Sequence, residues 1–249
     1  MNDKIVLTYY YTGMMDKWHH KKFKKCDVSD FDTLYKSVNG RGYDFVTLAN
    51  ECNRIILDKG DRDWRVIGLE GDLAKPDDMS LYVHKFIACY EWLKKHPEYE
   101  EIWIVDSADT EMLSLPEPKE GVIYTGYDAF FPEFNRNANF YWFLGGVRYG
   151  VGIPQHFGVG AKNGKAETMY LKTMYPDELA YNCGVFGGKR EIVMKFLEDF
   201  SNRLLVNDID LEMVPFNYLC YTKYAGKVES CTTRMTLGEK DYNRWWRHK

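Results

Sequence analysis

Short apolar runs alternate with helical patterns over much of the chain. The runs are rich in β-branched and aromatic residues and are bounded by polar or turn-forming residues, which is typical of strands. Residues 127–181 are irregular and rich in Gly, Asn and aromatic residues. The predicted strands cover residues 4–11, 43–50, 64–69, 102–105 and 121–126.

Residues 81–95 have the periodicity of a helix with one apolar side. Ser80 stands at the N-cap position, and Pro97 requires the helix to end near His96. The side chains predicted to face the core are Leu81, Phe86, Cys89, Tyr90 and Leu93.

Residues 182–205 predict a strand, a turn at Gly187 and Gly188, and a helix. Alternating strands and helices predict an α/β fold with a mainly parallel central sheet flanked by helices. No repeat, low-complexity segment or linker divides residues 1–249, so a single domain is expected. The predicted core side of the last helix carries Ile192, Val193, Phe196, Leu197, Phe200 and Leu204.

A cluster of acids follows the apolar strand at 102–105. Asp106, Asp109 and Glu111 lie within six residues, and no Lys or Arg stands nearby in the sequence. Ligands of open parallel sheets bind outside the carboxyl ends of the strands, where these acids fall. Two carboxylates suit Mg²⁺ or Mn²⁺, and Glu111 is either a third ligand or solvent-facing. The alternative is a solvated turn that caps a helix.

Net charge, cysteine spacing and missing motifs limit the classes of function that this chain can have. The 249 residues are 45% hydrophobic and 28% charged with a net charge of −4, so nucleic acid could bind only at a local patch such as the basic run 17–25. Six cysteines without a CxxC pair, and no targeting signal, predict a cytoplasmic protein of a bacterium or a virus-infected host, without disulfides or zinc. The motifs of P-loop enzymes and dinucleotide dehydrogenases are absent.

Three segments together resemble a glycosyltransferase of the GT-A fold: IVLTYYYTG, EEIWIVDSADTEML and LAYNCGVFGGKREIVMKF. The D-x-x-D spacing is similar to that of the glycosyltransferase domain of the collagen lysyl hydroxylases. The resemblance implies a Rossmann-like domain with a nucleotide-binding half at about 1–115 and an acceptor-side half at about 116–249.

The resemblance also implies roles for individual residues. Asp106 and Asp109 would bind Mn²⁺ or Mg²⁺ on the diphosphate of the donor. Lys189 opens the last predicted helix, where a cation is unfavourable unless an anion lies nearby or the side chain extends into water. The implied donor-binding residues are Thr8, Tyr9, Tyr10, Asp106, Asn182, Gly184 and Lys189.

The segment NDIDLEMVPFNYL supplies candidate catalytic acids, Asp210 and Glu212. Several retaining GT-A families carry an acid or amide pair at this place. Glu212 and Asn217 match the outer positions, whereas Met213 stands where those families have Gln or Glu. The alternative is helix capping by Asp208 or Asp210.

The segment DYNRWWRHK supplies a candidate third metal ligand. Exposed indoles are unfavourable, so Trp245 and Trp246 are expected to pack on the protein and give His248 a defined position. A neutral imidazole is a suitable ligand for Mn²⁺, and the resemblance implies this role, because GT-A domains often complete their metal site with a His from near the C-terminus. The alternative is a frayed chain end, in which His248 stands in a cationic setting beside Arg247 and Lys249. The competing third ligands are Glu111, His156 and water.

The acidic cluster and the resemblance together predict a metal-dependent glycosyltransferase. The resemblance implies retention of the anomeric configuration and a UDP-sugar as the favoured donor. The expected acceptor is a glycan precursor or a hydroxymethylated base in viral DNA. One alternative is a sugar nucleotidyltransferase, although the Gly-rich basic loop of that class is absent from TYYYTGMMDKW. The other is a non-catalytic module that binds nucleotide sugars or glycans.

Overall fold

The computed structural model describes residues 2–12, 15–16, 21–22, 28–50, 65–70, 80–127, 167, 170–171, 174, 181–207, 212–234 and 244–248. Its strands are β1 (Lys4–Tyr10), β2 (Met15–Asp16), β3 (Lys21–Lys22), β4 (Asp44–Ala49), β5 (Arg65–Gly68), β6 (Glu101–Val105), β7 (Thr110–Met112), β8 (Ile123–Tyr127), β9 (Tyr181–Lys189), β10 (Val228–Ser230), β11 (Thr232–Arg234) and β12 (Trp246–His248). Its helices are α1 (Asp32–Val38), α2 (Leu81–Lys94), α3 (Arg190–Asn207) and α4 (Met213–Tyr221), with a 3-10 turn at Val28–Phe31.

A seven-stranded sheet in the order β10-β8-β9-β6-β1-β4-β5 forms the centre of the fold. The run β6-β1-β4-β5 is parallel, and β10 is parallel to β8. Strand β9 is antiparallel to both β6 and β8. The predicted α/β class and mostly parallel central sheet are therefore confirmed, and one antiparallel strand is inserted.

Helices cover both faces of this sheet. On one face α2, α3 and α4 meet in a cluster of aromatic rings that includes Phe86, Phe186, Phe196, Phe200 and Phe216. The six core positions predicted for α3 are all buried. On the other face α1 packs with Trp103 and Trp246.

The end of α2 is fixed by a basic side chain from α3. Ser80 occupies the N-cap of α2 without a side-chain capping bond, and the helix ends at Lys94 as Pro97 requires. The guanidinium of Arg190 donates to the carbonyl oxygens of Leu93, His96 and Tyr99. Arg190 therefore binds carbonyl oxygens at and beyond the end of α2, which gives this cation at the start of α3 a role within the fold.

A small three-stranded sheet, in the order β11-β12-β7, lies beside the central sheet. Trp246 is fully buried, and its ring centroid lies 5.6 Å from that of Trp103. Trp245 packs against Tyr124 with ring centroids 4.8 Å apart. The prediction that both tryptophans pack on the protein is confirmed.

Cys89, Cys183, Cys220 and Cys231 are buried free thiols, as expected for these four. Within the described ranges, no helix is both long and apolar enough to cross a membrane. Of the basic run, only Lys21 and Lys22 are described, and their backbone forms β3 opposite β2. Asp208, Asp210 and His156 lie outside the described residues.

Candidate metal centre

Strand β6 delivers Asp106 to the carboxyl edge of the central sheet. Val105 is paired with Thr8 of β1, so Asp106 stands just beyond the paired segment. The Asp106 amide donates to the carbonyl oxygen of Gly184 at 2.8 Å, and the Thr110 hydroxyl donates to the Asp106 carbonyl oxygen. This closed turn brings Asp109 back towards Asp106, as the D-x-x-D spacing suggested.

Strand β12 carries His248 to the same place. It runs antiparallel to β7, with His248 opposite Thr110. The His248 Nε2 atom lies 3.6 Å from an Asp106 Oδ2 atom and 3.6 Å from an Asp109 Oδ2 atom. One ligand atom from each of these three residues lies within 4.8 Å of the others. The structure thus brings together the three residues chosen as metal ligands.

The donor set and its spacing fit a hard divalent cation. The two carboxylates suit Mg²⁺ or Mn²⁺, and the imidazole of His248 suits Mn²⁺ better than Mg²⁺, which prefers oxygen ligands and commonly retains several waters. Ligand atoms about 2.1 Å from one ion are at most about 4.2 Å apart, so both distances of 3.6 Å are compatible with a shared ion.

Gly184 makes room for this cluster. A Cβ atom at Gly184 would overlap the imidazole ring of His248 and would lie 2.8 Å from Asp106 Oδ2. The resemblance to GT-A enzymes implies close contact between Gly184 and a donor sugar. The structure shows a different close contact, in which the glycine backbone packs directly against two of the three candidate ligands.

A buried lysine, which was not among the sequence-predicted site residues, neutralises Asp106. The Nζ atom of Lys85 lies 2.5 Å from Asp106 Oδ1, and the Lys85 side chain is only 8% exposed. The expectation that the acids have no basic partner is therefore wrong. The sequence did contain an indication that Lys85 is buried. Lys85 stands four residues from both Leu81 and Cys89, so it lies on the predicted apolar side of the helix.

The two oxygens of Asp106 have separate partners, Lys85 at Oδ1 and His248 at Oδ2. Burial alone would raise the pKa of Asp106, but the charges of Lys85 and His248 outweigh it and lower the pKa to about 2. Burial disfavours protonated His248, but Asp106 and Asp109 raise its pKa to about 9. Without an ion, His248 is therefore a cation between two carboxylates at neutral pH.

This protonation predicts how ion binding depends on pH. Since an ion requires neutral imidazole, binding below the His248 pKa of about 9 releases a proton, and affinity should rise about tenfold per pH unit between pH 6.5 and 8. Isothermal titration with Mg²⁺ in two buffers of different ionisation enthalpy measures both the affinity and the released proton. A flat affinity over this range would contradict the role of His248 as a ligand.

Stability without an ion should change in the opposite direction. The folded-state pKa of His248 is raised above its usual 6.5, so the stability that it contributes is complete below pH 6.5. That contribution is lost as the pH rises through about 9. Thermal melting of the ion-free protein at both ends of this range provides the control for the ion titration.

Glu212, a predicted catalytic acid, lies buried beside the centre. The Sγ atom of Cys183 contacts Glu212 Oε1 at 3.6 Å, while Oε2 has no hydrogen-bond partner among the described residues. Burial raises the pKa of Glu212 to about 7, with smaller effects from the charges of Lys85 and Asp106. A carboxyl group with this pKa exchanges its proton near neutral pH, as general acid–base chemistry requires.

The two asparagines singled out in the sequence are held within the protein. Asn217 is fully buried, and its amide binds the backbone N–H and carbonyl of Tyr181 and the carbonyl of Met213. The side-chain oxygen of Asn182 accepts from the amide of Gly184 at 2.7 Å. Asn217 therefore fixes the start of β9 to α4, and Asn182 shapes the backbone at Gly184.

The three residues predicted to flank a nucleotide end β1 at the same edge of the sheet as Asp106. Thr8 is fully buried. The Tyr9 hydroxyl is hydrogen-bonded to Nδ1 of His84, and the Tyr10 hydroxyl donates to Asp30. The strand reaches the site, but these side chains pack in the interior.

Two other candidates lie away from the ion ligands. Lys189 is paired with Glu101 at the amino end of β6, whereas Asp106 follows its carboxyl end. Because β9 is antiparallel to β6, the two ends are separated by about 17 Å of strand, and Lys189 does not fit the predicted donor site. Glu111 is not a third ligand in this arrangement, because it forms an ion pair with Arg247 at 2.5 Å.

No protein-family model matches this chain, and no curated protein is significantly similar to it in sequence. The candidate function therefore depends on the chemistry of the site itself. That chemistry combines three convergent ion ligands with a buried lysine and a buried glutamic acid.

Proposed function

We propose that this protein is a metal-dependent glycosyltransferase that uses a nucleoside-diphosphate sugar, with a UDP-sugar as the favoured donor. The observation that carries the proposal is the convergence of Asp106, Asp109 and His248 at the carboxyl edge of a mostly parallel sheet. Ligands of open α/β sheets bind at this edge. The resemblance of three sequence segments to GT-A enzymes points to the same chemistry.

The charges of the centre support a diphosphate ligand. Lys85, Asp106 and Asp109 together carry one negative charge, and His248 is neutral when it binds an ion. Bound there, Mn²⁺ or Mg²⁺ would make the centre positive and would neutralise charge on a departing nucleoside diphosphate. Lys85 offers two further N–H donors beyond the one facing Asp106.

Glu212 is the described residue best suited to the reacting sugar. Its buried carboxyl group has one oxygen without a hydrogen-bond partner in the described ranges, and its pKa is about 7. It can accept a hydrogen bond from a sugar hydroxyl or hold a proton near the departing group. Retention of the anomeric configuration is part of this proposal.

Lys85→Met should separate ion binding from diphosphate binding. Removing this cation should not weaken Mg²⁺ binding, because Lys85 repels the ion. Affinity for UDP in the presence of Mg²⁺ should fall at least about tenfold, because a charge-assisted hydrogen bond is lost. Isothermal titration of both ligands, with Lys85→Arg as the variant that keeps the charge, measures the difference.

A parallel loss of Mg²⁺ and UDP affinity in Lys85→Met would contradict that assignment. In that case Lys85 would act by holding Asp106 Oδ1 at 2.5 Å, and the variant would lose the ion as well as the nucleotide. Thermal melting would distinguish both outcomes from general unfolding.

The proposed acceptor is a glycan precursor or a hydroxymethylated base in viral DNA. The test is incubation with Mn²⁺ and a panel of nucleotide sugars, with and without each acceptor, followed by mass spectrometry. Release of nucleoside diphosphate together with a glycosylated acceptor is the expected result. Asp109→Asn is the control variant, because it removes one ligand and leaves the Lys85–Asp106 pair in place.

The rival functions give different products. A sugar nucleotidyltransferase would turn over only with pyrophosphate or with a sugar phosphate and a nucleoside triphosphate. A binding module would melt at a higher temperature in the presence of a nucleotide sugar and would release no product. Either result with a correctly folded protein would overturn the glycosyltransferase proposal.

A further inference from the structure

Strand β12 is short, yet it supplies one of the three candidate ion ligands. Its three residues pair with β7 on one side and with β11 on the other. We infer that docking of β12 and binding of a divalent ion stabilise each other, so that the ion regulates the order of this strand. This inference rests on the metal centre of the proposed function, although not on sugar transfer.

The backbone contacts of β12 are few. Besides its ladder with β7 and β11, the Trp246 amide donates to the Cys231 carbonyl oxygen at 3.1 Å. The Leu113 amide donates to the Trp245 carbonyl oxygen at 2.7 Å. A strand of three residues has little stability of its own, so its docking depends on its side chains.

Side chains on both sides of β12 fix its register. Trp246 is fully buried against Trp103 and points to the same side as His248, because strand side chains alternate. Arg247 points to the other side, where it binds Glu111 at 2.5 Å directly across the antiparallel pair. A slip by one residue would expose Trp246 and move His248 away from the acids.

The burial of Trp246 and the Arg247–Glu111 ion pair contribute differently to the docking of β12. Full burial of a tryptophan removes a large apolar area from water, whereas an ion pair that is about one third exposed stabilises a protein only slightly. Trp246 therefore supplies most of the docking energy. Arg247 and Glu111 are positioning residues that refine where His248 stands.

His248 connects β12 to a distant part of the chain. The ion would share ligands from the turn after β6 and from β12, and it could hold all three only while β12 is docked. By linkage, an ion that binds only the docked state raises the ratio of docked to open β12 by a factor of one plus the ratio of ion concentration to dissociation constant. At about 100 times the dissociation constant, opening of β12 should become about 100-fold rarer.

Hydrogen exchange of the whole protein tests this coupling. Peptides that cover residues 244–248 are followed with and without Mg²⁺ at a concentration that titration shows to be saturating. Exchange in wild type should slow by at least about tenfold on addition of Mg²⁺. In His248→Ala exchange without ion should be faster than in wild type, because the imidazolium no longer pairs with Asp106 and Asp109, whereas the effect of Mg²⁺ should disappear.

If titration shows that Mg²⁺ binds to wild type but the hydrogen exchange of β12 does not slow, the inference is overturned. Slowing that persists in His248→Ala would also overturn it, because the coupling would not pass through His248. Neither outcome depends on transfer activity. A protein that shows the coupling and transfers no sugar would retain this inference and lose the proposed function.

The positioning role of the ion pair has its own test. Glu111→Gln and Arg247→Gln should each weaken Mg²⁺ binding by about three-fold, and the exchanged pair Glu111→Arg with Arg247→Glu should restore it. A merely structural role predicts lower melting temperatures with unchanged Mg²⁺ affinity, and that result would overturn the positioning role.

Discussion

Asp106→Asn is expected to abolish ion-dependent stabilisation and turnover. The substitution keeps the shape of the side chain but removes the negative charge that faces both His248 and Lys85. We expect Mg²⁺ affinity to fall at least about 100-fold, because a neutral amide replaces a charged oxygen ligand. Thermal melting with and without Mg²⁺ and UDP measures the loss, since a bound ligand raises the melting temperature of wild type.

Asp106→Asn should also lower stability without an ion. Lys85 is only 8% exposed and would lose its one described carboxylate partner. Breaking a fully buried pair costs about 3–5 kcal/mol, and the 36% exposure of Asp106 reduces the expected loss to about 1–3 kcal/mol. The same variant therefore affects both the ion and the fold.

Asp109→Asn separates these two effects. Asp109 is 40% exposed, and its described ion-pair partner is His248, so its loss should weaken ion binding strongly with little change in stability. An ion-induced rise in melting temperature that survives in both variants would show that the ion does not bind at these residues. A rise that survives only in Asp109→Asn would show a site built on Asp106 alone.

Much of the order of strands and helices was readable because the longer elements are periodic. The short elements α1, β7, β10, β11 and β12 were not predicted. The buried face of α3 and the apolar β6 are strong local patterns, and both appear where they were expected. The acids could be placed at a sheet edge because a charged segment directly follows a buried strand. His248 could be proposed because two adjacent tryptophans make a packed segment more favourable than an exposed one.

The direction of β9 was not readable from its pattern. Apolar runs of parallel and antiparallel strands look alike, and only the pairing with β6 shows that Lys189 lies at the opposite end from Asp106. Lys85 was missed for a related reason. It is 21 residues from Asp106, and its proximity depends on how α2 packs on the sheet.

Gly184 shows how pairing and packing together set the site. It lies on β9 next to Val185, which pairs with Val105 at the end of β6. The sequence marks Gly184 as unusual but does not say what approaches it. In the structure the approaching groups are His248 from β12 and Asp106 from β6, so three separate segments meet at a position without a side chain.

Gly184→Ala is therefore expected to disrupt the centre while every candidate ligand remains. The added Cβ atom would overlap the His248 ring and would stand 2.8 Å from Asp106 Oδ2, so at least one ligand must move. Overpacking of this kind costs about 1–3 kcal/mol. We expect Mg²⁺ affinity to fall at least about tenfold, because displaced ligands no longer converge on one ion. Isothermal titration measures the affinity, and hydrogen exchange of residues 244–248 reports whether β12 has moved.

Gly226→Ala is the matched control. Gly226 has a φ of +74°, and no described atom lies within 4 Å of the place that a Cβ atom would take, so alanine there is strained but meets nothing. It should cost about 1 kcal/mol of stability and leave Mg²⁺ affinity unchanged. If both variants lose the same stability but only Gly184→Ala loses ion binding, the loss of binding is due to the site and not to general destabilisation. Normal ion binding by a folded Gly184→Ala protein would instead show that His248 can move aside, and that the two aspartates bind the ion without it.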